Sequence, residues 1–185
     1  MSIPQEPTPA RLVVSIIFAT QGTGCSDSFI DVICAALEQE FGKVNFVSSV
    51  SLFTQTDYYE QEMGERLSRI FISFEKLQPR AQLAPIKLLT NALELRFSRP
   101  DGTRQCNIDP GFLTVENFIL ATGKNFTHRI YLKEGIFSEV TLLFQGGKFQ
   151  TLPWTYWDYA AGNVVEMLTQ MRKALIAELK SLKLL

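Results

Sequence analysis

The sequence RLVVSIIFAT, residues 11–20, predicts the first strand of a buried sheet because it is a short apolar run rich in β-branched residues. The turn QGTGCSDS, residues 21–28, follows it. Apolar residues then recur every four positions, which predicts a helix; they are Phe29, Ile33, Leu37 and Phe41. Gly42 is placed to end that helix.

The following segments extend this pattern to strand, helix, strand, strand, helix, strand. We predict strands at 44–53, 69–75 and 105–108 and a helix from Pro79 to Phe97, and the turn PDGT at 100–103 precedes the last strand. This order matches the ferredoxin-like βαββαβ unit.

The remainder predicts a short helix at 114–121, a hairpin of strands 128–132 and 136–144, a short strand near Phe149, and a helix from about Asn163 to the end. We therefore expect an α+β fold. Its antiparallel or mixed sheet would have a ferredoxin-like core with an extra C-terminal hairpin and helix. Residues 1–10 would be a flexible, proline-rich tail and residues 11–185 a single domain.

Composition excludes several classes of function. At 185 residues with a net charge of −1, the chain has no basic excess that would attract nucleic acid or acidic lipid. Its longest apolar run near the start is too short to span a membrane. Three cysteines without a C-x-x-C motif argue against a disulfide framework or a structural zinc site and favour the cytoplasm.

The hairpin contains the best acid–base candidates, His128 and Glu139. A two-residue turn at 134–135 would set Ile130 opposite Glu139 and His128 opposite Thr141. His128 and Glu139 would then be diagonal neighbours on one sheet face, within side-chain reach. A purely structural hydrogen bond between them is an equally good interpretation.

The segment NIDPGF, residues 107–112, has two interpretations. Asn and Asp beside Pro-Gly favour a turn. The alternative is that Asp109 presents its carboxylate to a metal or to a ligand hydroxyl. Lys124 and Arg129, further along, are candidates for binding an anionic group.

Two loops, DYYEQEMG at 57–64 and PWTYWDY at 153–159, each combine carboxylates with aromatic rings. Such rings can stack on a sugar, a base or a cation, or they can close the open end of a sheet. The ligand-binding candidates in these loops are Asp57, Tyr58, Tyr59, Glu62, Trp154, Tyr156 and Asp158.

Phosphate and metal sites are less well supported. The turn at 21–28 precedes a helix, whose N-terminus can hold an anion, but it lacks the lysine of a phosphate-binding loop. A single histidine excludes all-histidine metal sites. Carboxylates could still bind Mg²⁺ or Mn²⁺; the candidates are Asp57, Glu62, Asp109, Glu139 and Asp158.

Taken together, these motifs resemble a bacterial and archaeal family of unknown function, numbered 4416. The segments that carry the resemblance are DYYEQEMG, RIFISFEKL, IKLLTNALE, NIDPGFLT, LATGKNFTHRIYL, GIFSEVTL and LPWTYWDY. The resemblance implies a prokaryotic single-domain protein and imports no activity. This chain departs from the family's pattern at Phe112 and Phe137, where we expect tyrosine, and at Trp157, where we expect proline.

Two hypotheses follow. In the first, the protein binds a small polar or phosphorylated, nucleotide-like ligand, with His128 and Glu139 as an acid–base pair. In the second, the same residues form internal ion pairs, and the C-terminal helix, with its final SLKLL, docks a partner or a second copy. Convergence of the candidates on one solvent-reached pocket would favour the first.

Overall fold

One antiparallel sheet of nine strands runs through the computed structural model, which describes residues 3–19, 26–54 and 59–185. The strands are β1 Ala10–Ala19, β2 Val44–Val47, β3 Ser51–Leu52, β4 Leu67–Gln78, β5 Cys106–Leu113, β6 Asn117–Thr122, β7 Ile130–Lys133, β8 Ile136–Gln145 and β9 Lys148–Thr151. Their order is β2-β4-β1-β5-β6-β8-β7, with β3 also beside β4 and β9 beside β8. The predicted α+β class is confirmed.

Two helices cover one face of this sheet. They are α1 Ser26–Phe41 and α3 Leu83–Arg96, with a short α2 at Glu60–Met63 and a 3-10 turn at Arg80–Gln82. Leu12, Val14 and Ile16 of β1 pack into the same core as side chains of both long helices. Because β1 is buried on both faces, its sequence is continuously apolar rather than alternating.

The fourth helix, α4 Gly162–Ser181, covers part of the opposite face. Its stripe of Val164, Leu168, Leu175 and Leu179 packs with Val13, Phe71 and Leu113 of the sheet. An ion pair between Arg11 and Glu178 holds the C-terminal part of α4 against β1. None of the helices in the described residues is both long and apolar enough to cross a membrane.

Several predicted elements need correction. The helix expected at 114–121 is wrong: Thr114 Oγ1 accepts the backbone N–H groups of Glu116 and Asn117, and this tight turn leads directly into β6. The turn preferred for NIDPGF is also wrong, since those residues belong to β5. The strand expected at 44–53 is two short strands, β2 and β3.

The hairpin turn forms as predicted, but the register beyond it differs. Glu134 and Gly135 both have positive φ, 51° and 77°, and Lys133 faces Ile136. A bulge between Tyr131 and Lys133 then shifts the pairing by one residue, so Ile130 faces Ser138 instead of Glu139. The strand begins at Ile130, so His128 precedes it and does not face Thr141.

Candidate functional site

A cavity of about 600 Å³ lies where β5 and β6 separate. The two strands pair only between Gly111–Leu113 and residues 118–120. On one side of this gap the cavity is lined by Asn107 and Asp109, and on the other by residues 120–124. Ser15 of β1, Arg69 of β4 and the loop at 156–159 complete the lining.

The sequence explains why the strands come together and then part. At Gly111, an added Cβ would lie 2.6 Å from Phe118 Cζ and 2.8 Å from the Ile119 carbonyl oxygen, so only glycine permits this close approach. The preceding residue, Pro110, has no N–H to offer a neighbouring strand. The pairing of β5 with β6 therefore ends at Pro110, where the ladder loses an N–H donor.

Side chains of α3 replace the missing strand at Ile108. Glu94 Oε1 accepts the Ile108 N–H at 2.7 Å, and Lys87 Nζ donates to the Ile108 carbonyl at 3.0 Å. Both side chains are buried. The edge of β5 is thus satisfied without β6, which keeps the gap open.

Lys87 also fixes Asp109, whose Oδ1 lies 2.9 Å from Lys87 Nζ. Asn107 Nδ2 donates to the other carboxylate oxygen at 2.6 Å. Burial acts to raise the pKa of Asp109, but Lys87 and Asn107 together hold it below the ordinary value. At Glu94 burial prevails over the attraction of Lys87, and its pKa is raised.

Arg69 forms the floor of the cavity. It is 4% exposed, and its guanidinium lies 4.3 Å and 4.4 Å from the ring centroids of Phe71 and Tyr159. Its Nε donates to Ser15 Oγ at 2.8 Å, and its NH1 group forms an ion pair with Asp158. Asp158 is therefore held in the cavity wall by a cation from the sheet.

Two side chains contact the same carboxylate oxygen of Glu139. Arg129 Nε donates to Glu139 Oε2 at 2.7 Å, and His128 Nε2 lies 3.0 Å from the same atom. The Glu139 side chain is 1% exposed, and its Oε1 has no hydrogen-bond partner among the described residues. Arg129 also donates to the Tyr156 hydroxyl at 2.9 Å and to the Lys124 carbonyl at 3.0 Å.

His128 lies behind Glu139 rather than in the cavity wall. Its ring stacks on Trp154 with centroids 5.0 Å apart and planes 9° apart, and Phe126 meets it edge-on at 5.4 Å. The predicted pair is thus in contact, but only Glu139 lines the cavity. His128 contacts the cavity lining through Glu139.

Most of the site residues predicted from the sequence line the cavity. The predicted residues that line it are Tyr59, Asp109, Lys124, Arg129, Glu139, Tyr156 and Asp158. Trp154 contacts His128 instead, and Glu62 binds Arg104, a lining residue, at 2.6 Å. Asp57 and Tyr58 lie outside the described residues, as does most of the turn at 21–28.

Four charged lining residues were absent from the predicted set: Arg69, Lys87, Glu94 and Arg104. The signal that could have identified Arg69 and Lys87 is a single charge inside a segment whose neighbours are buried and apolar, as in RIFISF and APIKLL. A buried charge needs a partner, so such positions predict an ion pair. Arg69 pairs with Asp158 and Lys87 with Asp109, and both of these partners lie far away in sequence.

The electrostatic character of the wall is mixed. Among the described lining residues, five are cationic and four are carboxylates; they are Arg69, Lys87, Arg104, Lys124 and Arg129, and Glu94, Asp109, Glu139 and Asp158. Aromatic rings form the rim, where Tyr156 is half exposed and Trp157 is 85% exposed. In the described part of the chain, no three His, Cys, Asp or Glu residues are grouped so that they could hold a metal ion.

Comparison with known proteins shows that the chain matches one family of sequences. Neither the curated proteins nor the solved structures gave a match to this chain. A family of sequences does match, and its match takes in β1 at one end, most of α4 at the other, and every residue that lines the cavity. The chain belongs to the family described as Domain of unknown function (DUF4416), whose sequence model covers residues 8–175.

Proposed function

We propose that this protein binds a small polar ligand with a phosphate-like anionic group in the cavity between β5 and β6. The observation that carries this proposal is the convergence of four carboxylates and five cations on one open space of about 600 Å³. That volume is typical of small-molecule sites, which span about 300–1,000 Å³. Charged groups that served stability alone would be expected to close such a space.

Each part of the wall has a proposed role. Lys124 and Arg129 would attract the anionic group, since Arg129 is already oriented by Glu139 and Tyr156. Tyr156 and Trp157 at the rim would stack on a planar or sugar portion. Asp109 and Asp158, each fixed by one cation, would accept bonds from ligand hydroxyls.

If the protein is an enzyme, Glu139 is the proposed proton acceptor or donor. It lines the cavity, and its Oε2 is bound by His128 and Arg129. His128 would then be a positioning residue. Mg²⁺ or Mn²⁺ could enter with the ligand, because hard cations commonly bind through substrate phosphates as well as one or two carboxylates.

We also propose a ferredoxin-like core for the first part of the chain. The order β2-β4-β1-β5, together with α1 and α3 in one core against the sheet, supports it. A cytoplasmic location is proposed as well, and the absence of a disulfide at Cys34 and Cys106 agrees with it. A bacterial source stays a prediction from the family resemblance.

A second candidate is a non-enzymatic interaction module. It is favoured by the ion pairs themselves, since each lining carboxylate already contacts a cation. The exposed side chains of Leu182, Leu184 and Leu185 after α4 would supply the docking surface, to a partner or to a second copy. This candidate predicts a rigid network that no small molecule changes.

A thermal-shift screen separates the two candidates. The probes are AMP, ribose 5-phosphate, glucose 6-phosphate and Mg²⁺, tested singly and with Mg²⁺ added to each phosphate. A ligand that binds the native state raises the melting temperature by mass action. The proposal predicts a rise with at least one phosphate, and an unchanged melting temperature across the panel would contradict it.

Two lysine variants localise the effect. Lys124→Met removes a charge that lines the cavity, whereas Lys148→Met removes an exposed charge from β9, away from it. We expect the ligand-induced rise to shrink in the first variant and to persist in the second. Equal rises in both variants would place the phosphate elsewhere.

A further inference from the structure

We propose that the unpaired backbone edge at the end of β6, formed by Ala121 and by Gly123 just beyond the strand, recognises the hydrogen-bonding edge of a nucleobase through its N–H and C=O groups. This inference rests on the proposed function and narrows its ligand to a nucleoside phosphate.

The pairing of β6 is asymmetric. Toward β8 it continues through Ala121 opposite Ser138 and Thr122 opposite Phe137. Toward β5 it stops at Leu120, opposite Gly111. Beyond that point, no described strand pairs with β6 on the β5 side, although the β8 side is fully engaged.

The direction of the free backbone groups follows from β5. Ile108 directs its N–H and C=O toward the gap, because Glu94 and Lys87 bind them there. Two residues along the strand, Pro110 has the same orientation, and continuing the β5–β6 register by one residue would set it against Ala121. In an antiparallel pair, facing residues direct their backbone groups toward each other or both away. The backbone groups of Ala121 therefore point into the gap, and Gly123, just beyond the strand, lines the same cavity.

The lining of the cavity supports this orientation independently. Leu120, Ala121 and Thr122, the last three residues of β6, all line it. Side chains on a strand alternate between faces, so a continuous run can line one space only if the backbone edge itself faces that space. Ala121 and Gly123 are also the smallest residues among 120–124. An added Cβ at Gly123 would meet no atom within 4 Å.

An open strand edge usually takes another strand, but the opposite wall here is unsuited to one. The backbone groups of Ile108 are already bound by charged side chains, and Asp109 lines the gap beside them. A nucleobase offers a donor and an acceptor side by side on a planar edge. Its π face matches the rings of Tyr156 and Trp157, and Lys124 follows the edge directly to meet a phosphate.

Calorimetric titration of the wild-type protein tests this inference. The probes are AMP, GMP, CMP and UMP, with ribose 5-phosphate as the matched ligand that lacks a base. We expect at least one nucleotide to bind at least tenfold more tightly than ribose 5-phosphate. Methylation of that nucleotide's base on its hydrogen-bonding edge should remove most of the gain.

The possible outcomes distinguish recognition of a base from binding of an anionic ligand, the function proposed above. If ribose 5-phosphate binds as tightly as every nucleotide, recognition of a base is overturned while binding of an anionic ligand stands. If base methylation changes nothing, stacking is responsible and the edge inference fails. If no probe binds, both proposals fail.

A proline variant tests the backbone directly. Gly123→Pro deletes one N–H of the proposed edge, and Gly123 does not have a positive φ that proline would have to abandon. We expect the ratio of nucleotide affinity to ribose 5-phosphate affinity to fall at least tenfold, with ribose 5-phosphate as the internal reference. Wild-type nucleotide affinity in this variant would overturn the inference. If the variant does not fold, the methylated nucleotides give the same test.

Discussion

Lys87 holds together the β5 side of the cavity wall. One ammonium group contacts the Ile108 carbonyl, the Asp109 carboxylate and, at 3.8 Å, the Glu94 carboxylate. It therefore compensates two negative charges and one backbone acceptor at once. Removing it leaves all three without that cation.

Substituting Lys87 tests this dependence. Lys87→Met keeps an unbranched side chain, one heavy atom shorter, and removes its charge. We expect the free energy of unfolding to fall by about 3–5 kcal/mol, the range for breaking a buried ion pair. Chemical denaturation measures it, with Lys148→Met on the exposed strand β9 as the control. Equal effects of the two variants would show that Lys87 is not part of a buried network.

Asp109 gives a prediction about acid stability. Its folded-state pKa lies below the ordinary value of 3.8, because Lys87 and Asn107 stabilise the charged form against burial. Its contribution to stability is therefore present above pH 3.8 and is lost as the pH falls through the lower, folded-state pKa.

Asp109→Asn lacks this proton-linked contribution. Between about pH 4 and about pH 2, the wild type should lose more of its unfolding free energy than the variant. Glu94 has a raised pKa, to which Asp109 contributes, and it works in the opposite direction mainly above its ordinary value of 4.5, so the comparison is made below that value. Parallel pH profiles would contradict the assigned role of Asp109.

At the scale of elements, the separation of β5 from β6 creates the site. Gly111 permits the close contact between β5 and β6, and the gap between them begins at Pro110. Two glycines on either side of this junction differ sharply in their surroundings, which makes them a matched pair for mutation.

Adding one methyl group at each glycine tests the junction. Gly111→Ala forces a Cβ against the Ile119 backbone, and we expect a loss of about 1–3 kcal/mol from overpacking. Gly123→Ala places its Cβ in open space, so its effect on stability should stay within about 0.5 kcal/mol. Thermal or chemical denaturation measures both. Equal stability of the two variants would contradict the close approach of the strands.

Local sequence patterns predicted the long elements better than the junctions between them. The apolar run of β1 and the four-residue spacing of α1 are properties of single segments. The strand β6 was mistaken for a helix because Thr114 creates a turn through its own side chain, which no periodicity reveals. The bulge at 131–133 is likewise decided by how the paired strands twist and pack.

At the scale of the whole molecule, the candidate site is a meeting point of distant segments. Tyr59, Asp109, Glu139 and Asp158 come from four different regions of the chain and line one cavity. Their carboxylate and aromatic side chains identify them in the sequence as candidate site residues. Arg69 and Lys87 were not recognised, because a lone charge in an apolar segment acquires its meaning only from a partner that folding supplies.

The central claim is that a small anionic ligand occupies the cavity between β5 and β6. Amide nitrogen–proton correlation spectra, recorded during titration with AMP and with ribose 5-phosphate, test it residue by residue. The account predicts that shifts concentrate at residues 107–109, 120–124 and 156–159, while the amides of β9 and the outer face of α1 stay unchanged. Shifts confined to β7, α1 or the residues after α4, or no shifts with either compound, would contradict it.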